Sequence, residues 1–143
     1  MNTLEPINKS LNAWVVFSGQ ADLPWLKILK PGFRHCAVLM NDGRSWITVD
    51  PLSNYTDVTV HQVPLEFDLP LWMKDRGHIV VKAPVQREMC PAPFSLYSCV
   101  EAVKRVLGIH KRLIFTPWQL YRYLRKIQTQ HTFKSKGDST WEV

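Results

Sequence analysis

The chain lacks the features that would place it in a membrane or in a familiar nucleotide-binding class. No apolar stretch approaches the ~18 residues that span a bilayer, and no apolar N-terminal run has a basic lead and a small-residue cleavage site. The motifs GxSxG, GxGxxG and GxxxxGK followed by Ser or Thr are absent, so serine-hydrolase, dinucleotide and nucleoside-triphosphate functions have no support. We therefore expect a soluble protein that is made in the cytoplasm and does not pass through a secretion route.

Cysteine is scarce as well. The three cysteines, Cys36, Cys90 and Cys99, form an odd set without CxxC spacing, which argues against a disulfide framework and leaves at least one thiol free. A zinc site from these cysteines and His35 would match no recurrent ligand spacing. The sequence therefore predicts neither a metal nor a cofactor.

The length and composition suit one globular domain. The 143 residues are 45% hydrophobic, enough for a core without disulfides. We divide the chain into an N-terminal arm (1–12), a single domain (13–128) and a polar C-terminal tail (129–143). The net charge of +6 is uneven, because residues 101–143 hold nine Lys or Arg and three acids whereas the first hundred residues hold nine of each. Such a face is either solvated or binds an anionic partner, such as a wall polymer or a membrane surface, and no nucleic-acid motif accompanies it.

A β-hairpin is the clearest local signal. Asn41-Asp42-Gly43 separates two β-rich runs, 33–40 and 45–50, and these residues tolerate the positive φ of tight turns. If Met40 pairs with Ser45, His35 lies directly opposite Asp50 and their side chains share one face, about 5 Å apart. Neighbours alternate along a strand, so Cys36 is predicted to point to the other face, into the core.

The remaining patterns predict an α+β fold, with an antiparallel sheet packed against a Cys-bearing helix and a C-terminal helix. The capping box Ser98-x-x-Glu101 starts a helix at or just before Cys99, and Gly108 ends it. A second helix starts at Thr116-Pro117. The other expected elements are strands at 13–17, 57–63 and 78–83, near-helical spacing over 23–30, a loop or short helix around 70–73, and a linker at 91–93.

Thiol catalysis needs a thiolate, a base and a group that orients the base. Cys99 would lie in the first turn of a helix, where the N–H groups and the helix dipole favour a thiolate. His35 would be its base, and Asp50 would fix the imidazole tautomer. The alternative is that Cys99 packs as a small buried residue and His35 is an ordinary strand histidine. Candidate oxyanion donors are the Cys99 backbone N–H, Gln20 and the region of Trp14.

The order of these pieces resembles the circularly permuted branch of the NlpC/P60 superfamily, whose papain-like folds include lecithin:retinol acyltransferase-like proteins. The resemblance covers residues 13–108 and rests on four segments: Trp14-Val15-Val16-Phe17, Arg34-His35-Cys36-Ala37-Val38, Asp50, and Tyr97-Ser98-Cys99-Val100-Glu101. The histidine precedes the cysteine, the reverse of papain. The resemblance implies a permuted papain-like fold and a Cys99–His35–Asp50 triad. More loosely, the chain is similar to small proteins encoded in bacteriophage genomes.

Two functions follow as hypotheses. In the first, the protein is a cysteine hydrolase or thiol peptidase that cleaves a peptide amide, such as a peptidoglycan stem-peptide bond, or an acyl ester. In the second, it is a bacteriophage virion or assembly protein that keeps the fold with little or no catalysis and docks against other virion proteins. The second hypothesis also implies incorporation into a phage particle.

Overall fold

The computed structural model describes residues 11–19, 29–86 and 96–137, with side chains to residue 132. One antiparallel sheet has the strand order β4-β3-β2-β1-β5, and three helices accompany it. The elements are β1 (Asn12–Ser18), β2 (His35–Asn41), β3 (Trp46–Pro51), β4 (Thr56–His61), α1 (Leu69–Asp75), β5 (Ile79–Ala83), α2 (Cys99–Leu107) and α3 (Pro117–Gly137). The α+β prediction is confirmed. The N-terminal arm to residue 10, Gln20, residues 23–28, Cys90, the linker 91–93 and residues 138–143 lie outside the described residues.

The two faces of the sheet are covered differently. One face, which we call the α2/α3 face, carries the larger hydrophobic cluster, with Val15, Phe17, Cys36, Val38 and Val81 from the strands and Val100, Val103, Leu107, Leu120 and Leu124 from α2 and α3. The other, the α1 face, carries Val16, Leu39, Trp46 and Val80, packed with Leu69 of α1. Alternation along the strands assigns each side chain to its face.

The β2–β3 hairpin forms, but its register differs from the expected one. Met40 pairs with Ile47 and Asn41 with Trp46, so the pairing of Met40 with Ser45 is wrong. The loop is 42–45 because the Asp42 carboxylate accepts hydrogen bonds from the backbone N–H groups of Arg44 (2.8 Å) and Ser45 (2.7 Å). Gly43 takes the positive φ of 82° that this loop requires.

The helix boundaries follow the capping residues. The N–H of Glu101 donates to Ser98 Oγ at 3.2 Å, and Gly108 ends α2 in the left-handed conformation at φ 72°. At α3, the N–H of Gln119 donates to Thr116 Oγ1 at 3.3 Å. This helix continues to Gly137, past the domain boundary drawn at residue 128. Within the described ranges, no helix is long and apolar enough to cross a membrane.

Candidate active site

Cys99 is the first residue of α2, and contacts on either side hold it there. Ser98 caps the helix, and the Tyr97 hydroxyl lies 3.1 Å from Thr56 Oγ1 on β4, which ties the segment before Cys99 to the sheet. The following turns of α2 pack into the α2/α3 face through Val100 and Val103, which are 1% exposed. The thiol is half-buried at the end of a helix whose first N–H groups lack intrahelical acceptors.

His35 opens β2 and is joined to Asp50 of β3. Its Nε2 lies 2.5 Å from Asp50 Oδ1. In the observed register Asp50 is the diagonal rather than the direct neighbour of His35, because the ladder that pairs Val38 with Val49 would, if extended by one position, set Ala37 opposite Asp50. The predicted contact forms although the predicted register is wrong. The reason is that a shift of two positions keeps a side chain on its face.

The Cys99 thiol and the His35 imidazole interact, and each shifts the pKa of the other. Burial lowers the pKa of His35, but hydrogen bonds to Asp50 and Cys99 outweigh it and raise the pKa to about 10. Hydrogen bonding to Cys36 lowers the pKa of Cys99, burial opposes it, and the hydrogen bond and positive charge of His35 lower it further, to about 5. The dominant pair at neutral pH is therefore a thiolate and an imidazolium.

Cys36 belongs to the site although the sequence assigned it only to the core. It is fully buried on the α2/α3 face, as predicted. In addition, burial, followed by hydrogen bonding to Cys99 and by its charge, raises the pKa of Cys36 well above its usual range. The only sequence signal for this role of Cys36 was its position next to His35. Neither the sequence of α2 nor that of β2 predicts how the helix packs across the strand.

Other candidates contribute less. Trp14 pairs with Leu39, away from the Ser18–His35 end of the sheet, and its ring packs against Trp46 at 5.3 Å between centroids, so the Trp14 region is not an oxyanion donor. His61 accepts or donates a 2.7 Å hydrogen bond with Thr48, a partner that the sequence did not reveal. Within residues 11–19, 29–86 and 96–137, no three His, Cys, Asp or Glu side chains are grouped to hold a metal.

The basic C-terminal region is only partly a surface feature. Lys104 is 4% exposed, and its Nζ lies 2.9 Å from Glu101 Oε2, while Arg105 Nε lies 3.2 Å from Glu101 Oε1. This pairing secures the second turn of α2 behind Cys99. Among the described residues from 101 onward, the exposed cations are Arg105, Lys111, Arg112, Arg122, Arg125 and Lys126.

Searches with this chain against protein-family models, curated proteins and solved structures find no match. The geometry of the site is therefore the basis for the functional argument.

Proposed function

We propose that the protein is a cysteine hydrolase in which Cys99 is the nucleophile, His35 the general acid and base, and Asp50 the residue that orients His35. One observation carries the proposal: a thiol at a helix N-terminus contacts an imidazole whose Nε2 is bonded to a carboxylate. These are the three parts that nucleophilic thiol catalysis requires. The enclosed, charge-paired thiol is also unlike an inert packing cysteine, whose pKa burial alone would raise.

The chemistry follows from the charge state of the pair. The Cys99 thiolate attacks the carbonyl carbon of the substrate, and the carbonyl electron pair moves onto its oxygen. The first-turn N–H groups of α2, including that of Cys99, are the available donors to this oxyanion. The His35 imidazolium then protonates the leaving amine or alcohol, which departs and leaves a thioester on Cys99. A water molecule, deprotonated by neutral His35, then attacks the thioester, which releases the carboxylic acid and restores the Cys99 thiolate and the His35 imidazolium.

The order of the elements supports a permuted papain-like assignment. After the opening strand β1, the chain reaches the strand headed by His35, then Asp50 on the next strand, and later the helix led by Cys99. The resemblance to the permuted NlpC/P60 branch suggests a peptide amide, including a peptidoglycan stem-peptide bond, or an acyl ester as substrate. The exposed cations near and on α3, such as Arg122 and Arg125, would suit an anionic wall polymer or membrane surface.

The test is site-resolved alkylation followed by hydrolysis assays. Iodoacetamide should label Cys99 quickly at neutral pH, and His35→Ala should slow that labelling by about tenfold or more because the imidazolium no longer stabilises the thiolate. Hydrolysis of peptide and acyl-ester probes should disappear in Cys99→Ala. His61→Ala, which removes a histidine of β4 that is hydrogen-bonded to Thr48 of β3, is the matched control and should label like the wild type. Equal, slow labelling of all thiols would refute the proposal.

The pH dependence has a defined sign. With the pKa of Cys99 near 5 and that of His35 near 10, the thiolate and imidazolium coexist between those values. The rate kcat/KM should fall below that window as Cys99 gains a proton and above it as His35 loses one, with apparent values that belong to the pair. If the lower apparent pKa of the kcat/KM profile were about 8.5, the ordinary value of a thiol, this would contradict the thiolate–imidazolium pair.

A virion or assembly protein is the second candidate, and exposed apolar residues on and beside the edge strand β4 favour it. In β4, Val58 and Val60 are 60% and 58% exposed, and Tyr55 just before the strand is 59% exposed. Exposed apolar residues on an edge strand are a common docking surface. A phage protein of this kind would form stable complexes with other virion proteins while Cys99→Ala had no effect on particle assembly.

A further inference from the structure

The loop between α2 and α3, residues 109–116, is held to the rest of the protein at both ends. Ile109 and Ile114 are 5% and 9% exposed and pack in the larger hydrophobic cluster. Just before α3, the N–H of Phe115 donates a hydrogen bond of 2.8 Å to the side-chain oxygen of Gln119. This α2–α3 loop therefore has a defined shape that its own contacts maintain.

The same loop exposes two large apolar side chains. Leu113 is 81% exposed and Phe115 is 64% exposed, one on each side of the buried Ile114. The Ile114 carbonyl also accepts a hydrogen bond of 3.4 Å from Nζ of the buried Lys104, which fixes the backbone between the two exposed residues. Because Ile114 occupies the place in the core, its two neighbours point into solvent. Exposed apolar side chains held side by side in this way indicate an interaction site.

The charge around these side chains has one sign. Lys111 and Arg112 directly precede Leu113, and both are exposed. The sequence has no Asp or Glu from residue 102 to residue 137, and the last acid before this range, Glu101, is 5% exposed and paired with cations of its own helix. From the second half of α2 to the end of α3, the ionised side chains therefore offer only positive charge to a partner.

We propose that the α2–α3 loop docks the protein on an anionic lipid bilayer. Leu113 and Phe115 enter the boundary between the headgroups and the acyl chains, while Lys111 and Arg112 bind the lipid phosphates. Peripheral binding of this kind gains affinity from both buried apolar area and attraction to anionic lipids. Since the loop is already held in one shape, little conformational freedom is lost on binding.

A bilayer fits the α2–α3 loop better than the other anionic partners. A soluble anionic polymer would bind Lys111 and Arg112 but would leave Leu113 and Phe115 in water. A protein partner would have to supply a matching cavity for two projecting side chains, whereas the acyl boundary accepts them without a preformed shape. The combination of adjacent cations and projecting apolar side chains therefore favours the membrane surface.

The loop and the nucleophile lie at opposite ends of α2. Cys99 is the first of the nine residues of the helix, and the loop begins after the Gly108 cap. At 1.5 Å per residue, the two ends are about 12 Å apart along the helix axis. Docking through the loop does not require the membrane to cover the Cys99 thiol, so docking and hydrolysis can be tested separately.

The experiment measures cosedimentation of the full chain with vesicles of phosphatidylcholine and phosphatidylglycerol in equal amounts. The wild type should bind these vesicles and should bind pure phosphatidylcholine vesicles more weakly. The double variant Leu113→Ser, Phe115→Ser should lower the partition coefficient by about tenfold or more, because the inserted apolar area is lost. The double variant Lys111→Glu, Arg112→Glu should lower it by about tenfold or more, because the attraction to the headgroups is reversed.

Substitutions elsewhere provide matched controls. Leu71→Ser removes a leucine that is 52% exposed on α1, across the sheet from the α2–α3 loop. The double variant Arg44→Glu, Lys74→Glu changes the net charge by the same amount at two exposed positions outside the loop. Both controls should bind the vesicles like the wild type. Thermal melts verify folding, and if the serine double variant does not fold, Leu113→Gln alone replaces it.

The proposal is overturned if the wild type does not sediment with the anionic vesicles, or if the controls lose as much binding as the loop variants. It is also overturned if only the charge variant loses binding and the wild type binds soluble dextran sulfate equally well, because the partner would then be an anionic polymer. Cys99→Ala should bind the vesicles like the wild type. Vesicle binding without hydrolysis of any probe would support docking and refute the hydrolase, and hydrolysis without vesicle binding would do the reverse.

Discussion

The two faces of the sheet differ in how firmly they are held. The α2/α3 face is backed by two helices and contains large side chains that are fully buried, such as Phe17, Leu107 and Leu120. The α1 face has one seven-residue helix, and Leu71 and Trp72 of that helix are 52% and 42% exposed. The nucleophile is thus anchored on the denser side, whereas the His35–Asp50 pair lies on the sparser side. The two sides meet at the start of β2, where the His35 imidazole interacts with the Cys99 thiol.

The largest effect on stability should come from truncating a buried side chain on the α2/α3 face. Leu120→Ala removes a fully buried side chain between α3 and the sheet and should lower the free energy of unfolding by about 3 to 5 kcal/mol. Leu69→Ala on the α1 face should cost about 2 kcal/mol, because that smaller cluster can collapse or admit water. Urea titrations of both variants provide the measurement. Equal losses would show that the two faces contribute alike.

A smaller effect, confined to catalysis, should come from a substitution in the His35–Asp50 pair. Asp50→Asn keeps the size of the side chain but removes the charge that stabilises the His35 imidazolium, and should lower kcat/KM by about a hundredfold or more. Asp57→Asn, opposite Asp50 on β4, is the matched control and should retain activity. Steady-state kinetics of both variants provide the measurement. An Asp50→Asn variant with wild-type activity would show that Asp50 is not part of the triad.

The smallest effect should come from the helix caps. Ser98→Ala and Thr116→Ala each remove a hydrogen bond at a helix start and should each lower the free energy of unfolding by about 1 kcal/mol. Only Ser98→Ala should also slow alkylation of Cys99, since only α2 presents its N-terminus to the thiol. If Thr116→Ala also slowed the alkylation of Cys99, the effect would come from a general loss of stability and not from the N-terminus of α2.

Local signals predicted much of this arrangement. The capping residues located both helix starts, and the turn residues located the hairpin, because each acts within a few positions of the chain. The hairpin register was misplaced because Asn41 belongs to the strand and the Asp42 side chain closes the loop one residue later. Strand alternation still put His35 and Asp50 on one face.

What could not be predicted depended on how the elements pack. Nothing in the sequence fixes the angle at which α2 crosses β2, so the influence of Cys36 on the pKa of Cys99 was missed. The engagement of Lys104 by Glu101 was missed for a related reason: a charge pattern along a helix does not show which charges are buried. These contacts are between segments, and their energies depend on the whole core.

The hairpin loop 42–45 also determines on which side of the sheet the Asp50 carboxylate lies. A slip of one position in the pairing of β2 with β3 would reverse the facing of β3 and turn Asp50 away from His35, whereas a slip of two positions would return it to the same side. Residues added within the loop that leave this pairing unchanged would keep the contact between His35 and Asp50.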